Sequence, residues 1–273
     1  MLDSGIGGLS VLREVRRLLP GESILYVADE GHLPYGPRPR EEIRAFVCDT
    51  IRFLLEQRCK LIVIACNTAN AAALHYAREH FPDVPIVGME PAIKPAAEQT
   101  QTGVIGVIMT SATYQSELFA SVVDRFAQGI RVEALACPEL VMLAEQGAPD
   151  TPEAQAIIAQ YMEPLKAAGI DQLVLGCTHF PFLTPQLQAQ LGPAVTIIDP
   201  APAVARQVSR VLEQRHLSNA PDGSASVRYV TSGDPDHLRR LLNQLLGEQH
   251  ADVGAARWAG HRLVTVEDKF PLG

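Results

Sequence analysis

Two stretches of the chain, 111 positions apart, follow one pattern: Leu61-Ile-Val-Ile-Ala-Cys-Asn-Thr68 and Gln172-Leu-Val-Leu-Gly-Cys-Thr-His179. Each is an apolar run that ends in cysteine and then in amide, hydroxyl or imidazole groups. A short, almost wholly apolar run closed by polar residues reads as a strand buried on both faces, as in a parallel sheet. Its repetition predicts two similar α/β halves, each presenting a cysteine at the carboxyl end of a central strand. In open α/β sheets that edge is where ligands bind.

The rest of the chain keeps the same rhythm. Strand-like runs at Ile24 to Val27, Ile86 to Gly88, Val104 to Ile108, Val132 to Leu135 and Val195 to Ile198 alternate with amphipathic stretches such as Pro39 to Gln57 and Pro152 to Ala168. Apolar residues at helical spacing with charged residues opposite mark these as crossover helices. With 273 residues, two cores are expected rather than one. After Pro200 the pattern predicts a helix over Ala203 to Arg215, a Ser/Asn/Pro/Gly loop, a strand at Val227 to Val230 and a helix over Pro235 to Leu246; from Gly247 the patterning is weak.

A formal charge of -8 argues against a nucleic-acid partner, because it repels a phosphate backbone. No apolar run reaches the roughly 18 residues of a membrane span, and the first residues do not read as a secretion signal. A cytoplasmic protein is expected. Its five cysteines, Cys48, Cys59, Cys66, Cys137 and Cys177, form an odd set without a CxxC pair, which fits reduced thiols.

A buried cysteine is usually core filling. The repeated context sets Cys66 and Cys177 apart, whereas Cys48, Cys59 and Cys137 lie outside it and read as structural. Two thiols at facing strand ends can flank one carbon, each as base or acid. Asn67, Thr68, Thr178 and His179 follow them and supply hydrogen-bonding groups, and His179 can also hold a proton near neutral pH. Asp3-Ser-Gly-Ile-Gly-Gly8 precedes a helical pattern from Leu9, so Asp3 or Ser4 is expected to cap that helix. Ser10 stands where a dinucleotide loop would need its third glycine. The acidic Asp3 is better suited to an amino group or to orienting a thiol than to a pyrophosphate. Pro34-Tyr-Gly36 reads as a turn able to contact a small anion. Thr110, Ser111 and Thr113 either hold a carboxylate or cap a helix, and Glu145 falls in an amphipathic stretch whose default is a solvated face.

Taken together, DSGIGGLSVL, PYG at 34–36, ACNTAN at 65–70, GCTHFP at 176–181 and TSGDP at 231–235 resemble the bacterial glutamate racemases of the aspartate/glutamate racemase family, in order and spacing from Asp3 to about Gly247. The resemblance implies an α/β fold of two similar three-layer domains with mainly parallel sheets, related by a pseudo-twofold axis, with the active site between them. The expected division is 1–91 plus 206–247 for the domain with Cys66, 92–205 for the domain with Cys177, and 248–273 as a C-terminal tail. It implies a homodimer that interconverts L- and D-glutamate without metal or pyridoxal phosphate and supplies D-glutamate for peptidoglycan synthesis. None of the four lysines, Lys60, Lys94, Lys166 and Lys269, lies in a motif suited to a Schiff base.

By the same resemblance, Cys66 takes the α-proton of D-glutamate while Cys177 protonates the opposite face, with the roles exchanged for L-glutamate. Asp3, His179 and Glu145 assist the thiols, and Asp3, Ser4, Tyr35, Gly36, Asn67, Thr68, Thr113, Thr178 and His179 hold the substrate. Aspartate racemases and maleate isomerases also carry paired cysteines, but DSGIGG and PYG favour glutamate. One departure is that only Met1 and Leu2 precede Asp3, where the family has an apolar strand. A shortened first strand, with weaker anchoring of Asp3 and Ser4, is the expected consequence.

Overall fold

The computed structural model describes residues 1–220 and 225–266. Its strands are β1 (Leu2–Asp3), β2 (Ile24–Ala28), β3 (Ile62–Val63), β4 (Ile86–Val87), β5 (Val104–Met109), β6 (Arg131–Ala136), β7 (Gln172–Gly176), β8 (Thr196–Ile198), β9 (Val227–Thr231), β10 (Asp252–Ala259) and β11 (Arg262–Thr265). One sheet has the order β1-β2-β9-β10-β11, and the β3-β4 pair adjoins it through a parallel bridge between Leu2 and Ile64. A second sheet has the order β6-β5-β7-β8. Every pairing is parallel except β10 with β11, as expected of strands fed by crossover helices.

Period-two alternation within strands that are apolar throughout builds a core on both faces of each sheet. In β2, Ile24, Tyr26 and Ala28 join one core while Leu25 and Val27 join another. In β7, Leu173 and Leu175 face one way and Val174 the other. Helices Leu9–Leu18 and Ala201–Gln214 cover one face of the first sheet, and Arg40–Glu56 with Asn67–His80 cover the other. The second sheet is covered by Pro138–Glu145, Pro152–Ala167 and Thr184–Leu191 on one side and by Ile93–Gln99 with Glu117–Phe126 on the other. Two three-layer α/β units result. Among the described residues no helix is long and apolar enough to cross a membrane.

Two features depart from the sequence reading. The weakly patterned segment after Gly247 forms β10 and β11, which extend the first sheet and bury Val253, Ala256 and Leu263; residues 267–273 of the expected tail lie outside the described residues. The small residues of Asp252–Ala259 gave too faint an alternation to read as a strand. The helix expected from Ala203 starts at Ala201, and its stripe of Val204, Ala205, Val208 and Leu212 packs with Leu9 and Leu12 in the first unit's core. In β1, Leu2 and Asp3 pair beside Val27 and Ala28.

If the terminal hairpin belongs to the core, Leu263→Ala should cost about 2–5 kcal/mol in chemical denaturation, as for other buried leucines. Unchanged stability would show that β11 is a dispensable appendage.

Candidate active site

The first thiol stands at a strand-to-helix corner. Cys66 is the extended N-cap residue of helix Asn67–His80, and its Sγ accepts from the Ala69 N–H at 3.4 Å. Ser4 Oγ lies 3.7 Å from the same sulfur. Asn70 locks the corner by donating to the carbonyls of Ile64 (2.7 Å) and Cys66 (2.8 Å) while accepting from Met89 N–H (3.1 Å). Burial, reinforced by the nearby Asp3 carboxylate, pushes the Cys66 thiol up to about 12, against the pull of the Ala69 and Ser4 hydrogen bonds. Cys66 is therefore a protonated thiol near neutral pH.

The second thiol has a different neighbourhood. Cys177 follows β7, and its Sγ lies 3.6 Å from His179 Nδ1. The other ring nitrogen, Nε2, is 2.6 Å from Glu145 Oε1, which also accepts the Ile6 N–H at 3.0 Å. Glu145, whose stretch read by default as a solvated face, is thus buried as the partner of a histidine. Burial opposes a charged imidazole at His179, yet the hydrogen bonds to Cys177 and Glu145 outweigh it and hold its pKa well above the ordinary histidine range. The arrangement is thiol, imidazole and carboxylate in line.

The glycine-rich loop joins the two halves. Asp3 does not cap the helix at Leu9, whose N-cap is Gly8 with no side-chain bond. Instead its carboxylate accepts from Gly5 N–H (2.8 Å) and from Thr178 Oγ (3.1 Å) across the interface. Ser10, at the position of the missing third glycine, donates to the carbonyls of Gly7 (2.8 Å) and Thr178 (3.0 Å). Close approach explains the loop's composition: a methyl group at Gly5 would overlap the Glu145 carboxylate, and one at Gly7 would overlap His179 and Thr178. Tyr26, which no motif singles out, donates to the Gly5 carbonyl at 2.7 Å.

Both thiols open into one cavity of about 400 Å³. Of the residues expected at the substrate, Ser4, Tyr35, Gly36, Asn67, Thr68 and His179 line it. Asp3, Thr113, Thr178 and Glu145 do not; they lie behind the wall and bond to residues that form it or flank it. Thr113 is linked by its hydroxyl to Thr110 (2.9 Å), which in turn meets Thr68 (2.8 Å), and Thr110 caps helix Ser111–Tyr114, as the cap reading of that cluster expects. Asn67 is 3% exposed and neither its Oδ1 nor its Nδ2 has a protein partner, which leaves a complete amide to meet a ligand. The Tyr35 hydroxyl is committed to Asp29 at 2.7 Å. Leu33, Val141 and Met142 add an apolar wall that the motifs did not reveal. Among the described residues that line the cavity there is no lysine or arginine, and no group of three metal-ligating side chains was found among the described residues.

Two α/β units thus each offer a strand-end cysteine to a shared cavity. The profile of the Asp/Glu/Hydantoin racemase family matches residues 7–208, and the chain belongs to that family. It is 50% identical over 249 residues to a glutamate racemase of Ectopseudomonas mendocina, covering 91% of this chain and 94% of that one. The fold is similar to the glutamate racemase isoform RacE1 of Bacillus anthracis (TM-score 0.84, 36% identity, 93% and 95% coverage). It is also similar to Escherichia coli glutamate racemase in complex with L-glutamate and the activator UDP-MurNAc-ala (TM-score 0.83, 31% identity, 97% of both chains).

Burial raises Asp3 to about 6 from the ordinary 3.8, so folding becomes less favourable as pH rises from about 4 to 6 and the buried carboxyl must ionise. Asp3→Asn should therefore be more stable than the wild type at pH 7.5 by roughly 1–3 kcal/mol, with the gap closing towards pH 4.5. Denaturation at the two pH values checks this, and a variant less stable at pH 7.5 would contradict it.

Proposed function

We propose that the chain interconverts L- and D-glutamate by two-thiol proton transfer, with Cys66 and Cys177 on opposite faces of the α-carbon, and supplies D-glutamate for peptidoglycan synthesis. The observation that carries this reading is that the two cysteines of the repeated motif open into the same buried cavity with different partner sets. The similarity to glutamate racemases over nine-tenths of the chain supports glutamate as substrate. A cytoplasmic location and a homodimer belong to the same proposal.

The chemistry is demanding, because the α-proton of an amino acid is far less acidic than a thiol of pKa about 8.5. Three features lower the barrier. Cys177, His179 and Glu145 form a relay in which the imidazole takes the thiol proton and the carboxylate steadies the resulting cation, giving a thiolate base. Cys66, kept protonated by burial, is the acid on the other face. The amino end of helix Asn67–His80 and the free amide of Asn67 favour a carboxylate without arginine.

In this reading L-glutamate loses its proton to Cys177 and receives one from Cys66. The exchanged state, Cys66 thiolate with Cys177 protonated, takes the proton of D-glutamate. Asp3 and Thr178 act indirectly, by holding the glycine loop against His179. Ser4, Tyr35, Gly36, Asn67, Thr68 and His179 meet the substrate, with Thr113 behind Thr110.

Cys66→Ser and Cys177→Ser should each lower racemisation in both directions by roughly 10²- to 10⁴-fold, the scale of a lost acid or base, while Cys48→Ser stays within about twofold. Optical rotation of single enantiomers provides the assay. Wild-type rates in either active-site variant, or turnover of aspartate but not glutamate, would refute the proposal.

A further inference from the structure

The reading above leaves the buried Asp29 carboxylate unused. Asp29 is 1% exposed and is bonded by four side chains, two from its own loop and two from distant parts of the chain. Trp258 Nε1–H and Ser232 Oγ–H donate to Oδ1, each at 2.7 Å. The Tyr35 hydroxyl donates to Oδ2 at 2.7 Å, and His32 Nδ1 lies 2.9 Å from the same oxygen. A carboxylate has about four acceptor sites, so this set leaves none for a ligand. Four hydrogen bonds to one buried anion also strengthen each other in a low dielectric.

The four donors differ in what they reach. Tyr35 and Gly36 form part of the cavity wall, whereas Trp258 belongs to β10, beyond residues 7–208 where the family profile ends. The rings reinforce the polar link: His32 stacks on Phe46 at 3.7 Å between centroids, and Trp258 packs against both rings, 4.8 Å from His32 and 5.8 Å from Phe46. Tyr35 lies 5.9 Å from Phe46, closing the cluster. None of these contacts touches Cys66, Cys177, His179 or Glu145.

We propose that Trp258 is a positioning residue for the substrate: through Asp29 it fixes the Tyr35 turn, so that strand β10 sets how tightly the cavity holds its ligand. This rests on the glutamate-racemising reading. The Tyr35 turn and its Asp29 cluster share no hydrogen bond with the Cys177–His179–Glu145 relay, so the effect falls on KM and spares kcat. A tryptophan with the ring but not the N–H is approximated by phenylalanine, which keeps the stacking and leaves Asp29 one donor short.

Trp258→Phe should raise KM for glutamate about fivefold with kcat within about twofold, and Tyr35→Phe should do the same. Because both act through one carboxylate, the double variant should be little worse than either single one. A contribution to stability alone would lower the active fraction and hence the apparent kcat, leave KM unchanged, and add to Tyr35→Phe. Wild-type KM in Trp258→Phe, or additive effects in the double variant, would overturn the positioning role.

Should Trp258→Phe fail to fold, the wild type supplies a second readout, because Trp258 is the chain's single tryptophan. Its emission should change on titration with D-glutamate, saturating near KM, and the change should be lost in Tyr35→Phe. Emission that stays constant through saturation in an active enzyme would overturn the proposal. A wild type that does not racemise glutamate would instead bring down the reading on which it rests.

Discussion

The structure depends on one buried contact, the Glu145 carboxylate held between the His179 ring and the backbone N–H of Ile6. Glu145 and His179 come from the second sheet's unit and Ile6 from the first. A carboxylate taken out of water needs such partners, since leaving it unpaired costs several kcal/mol. The contact therefore ties the two units together at the wall of the shared cavity. It also dictates sequence on the facing side, where side chains at positions 5 and 7 would occupy the space taken by Glu145 and His179.

From that contact follows the inequality of the two thiols. One is paired with an imidazole whose charge Glu145 supports, and the other is capped by a helix N–H and a serine hydroxyl but faces the negative Asp3. Two identical environments would give two groups of the same protonation state, and proton transfer through a carbon needs one of each. The pseudo-symmetric strands thus present chemically unequal ends. Their supports cross the interface, Asp3 reaching Thr178 and Ser10 reaching the Thr178 carbonyl, so neither half-site is complete without the other unit.

Much of this was legible in the sequence, because the repeated strand-cysteine motif fixes a buried parallel strand and a reactive end at once. Residues adjacent to the thiols, Asn67, Thr68 and His179, inherit their placement from that motif and line the cavity. Glu145 was recoverable only through family resemblance, since an amphipathic helix face says nothing about which glutamate meets a histidine from another segment. Asp3 read as a helix cap because its spacing to Leu9 fits one, but the tertiary bond to Thr178 won. Asp29, Tyr26 and Trp258 carried no local signal: the bonds that set them apart run to residues far away in the chain. Strand β10 was missed for a related reason, as Gly254, Ala255 and Ala256 blur the period of two.

The central claim is that hydrogen leaves one face of the α-carbon and arrives at the other from a different sulfur. Wild-type protein incubated with L-glutamate in deuterium oxide tests it directly, with mass analysis of both enantiomers before equilibrium. The account predicts that newly formed D-glutamate carries solvent deuterium at the α-carbon while unreacted L-glutamate remains largely protonated. D-glutamate that retains the original hydrogen would mean a single base returning its own proton, and would contradict the two-thiol account.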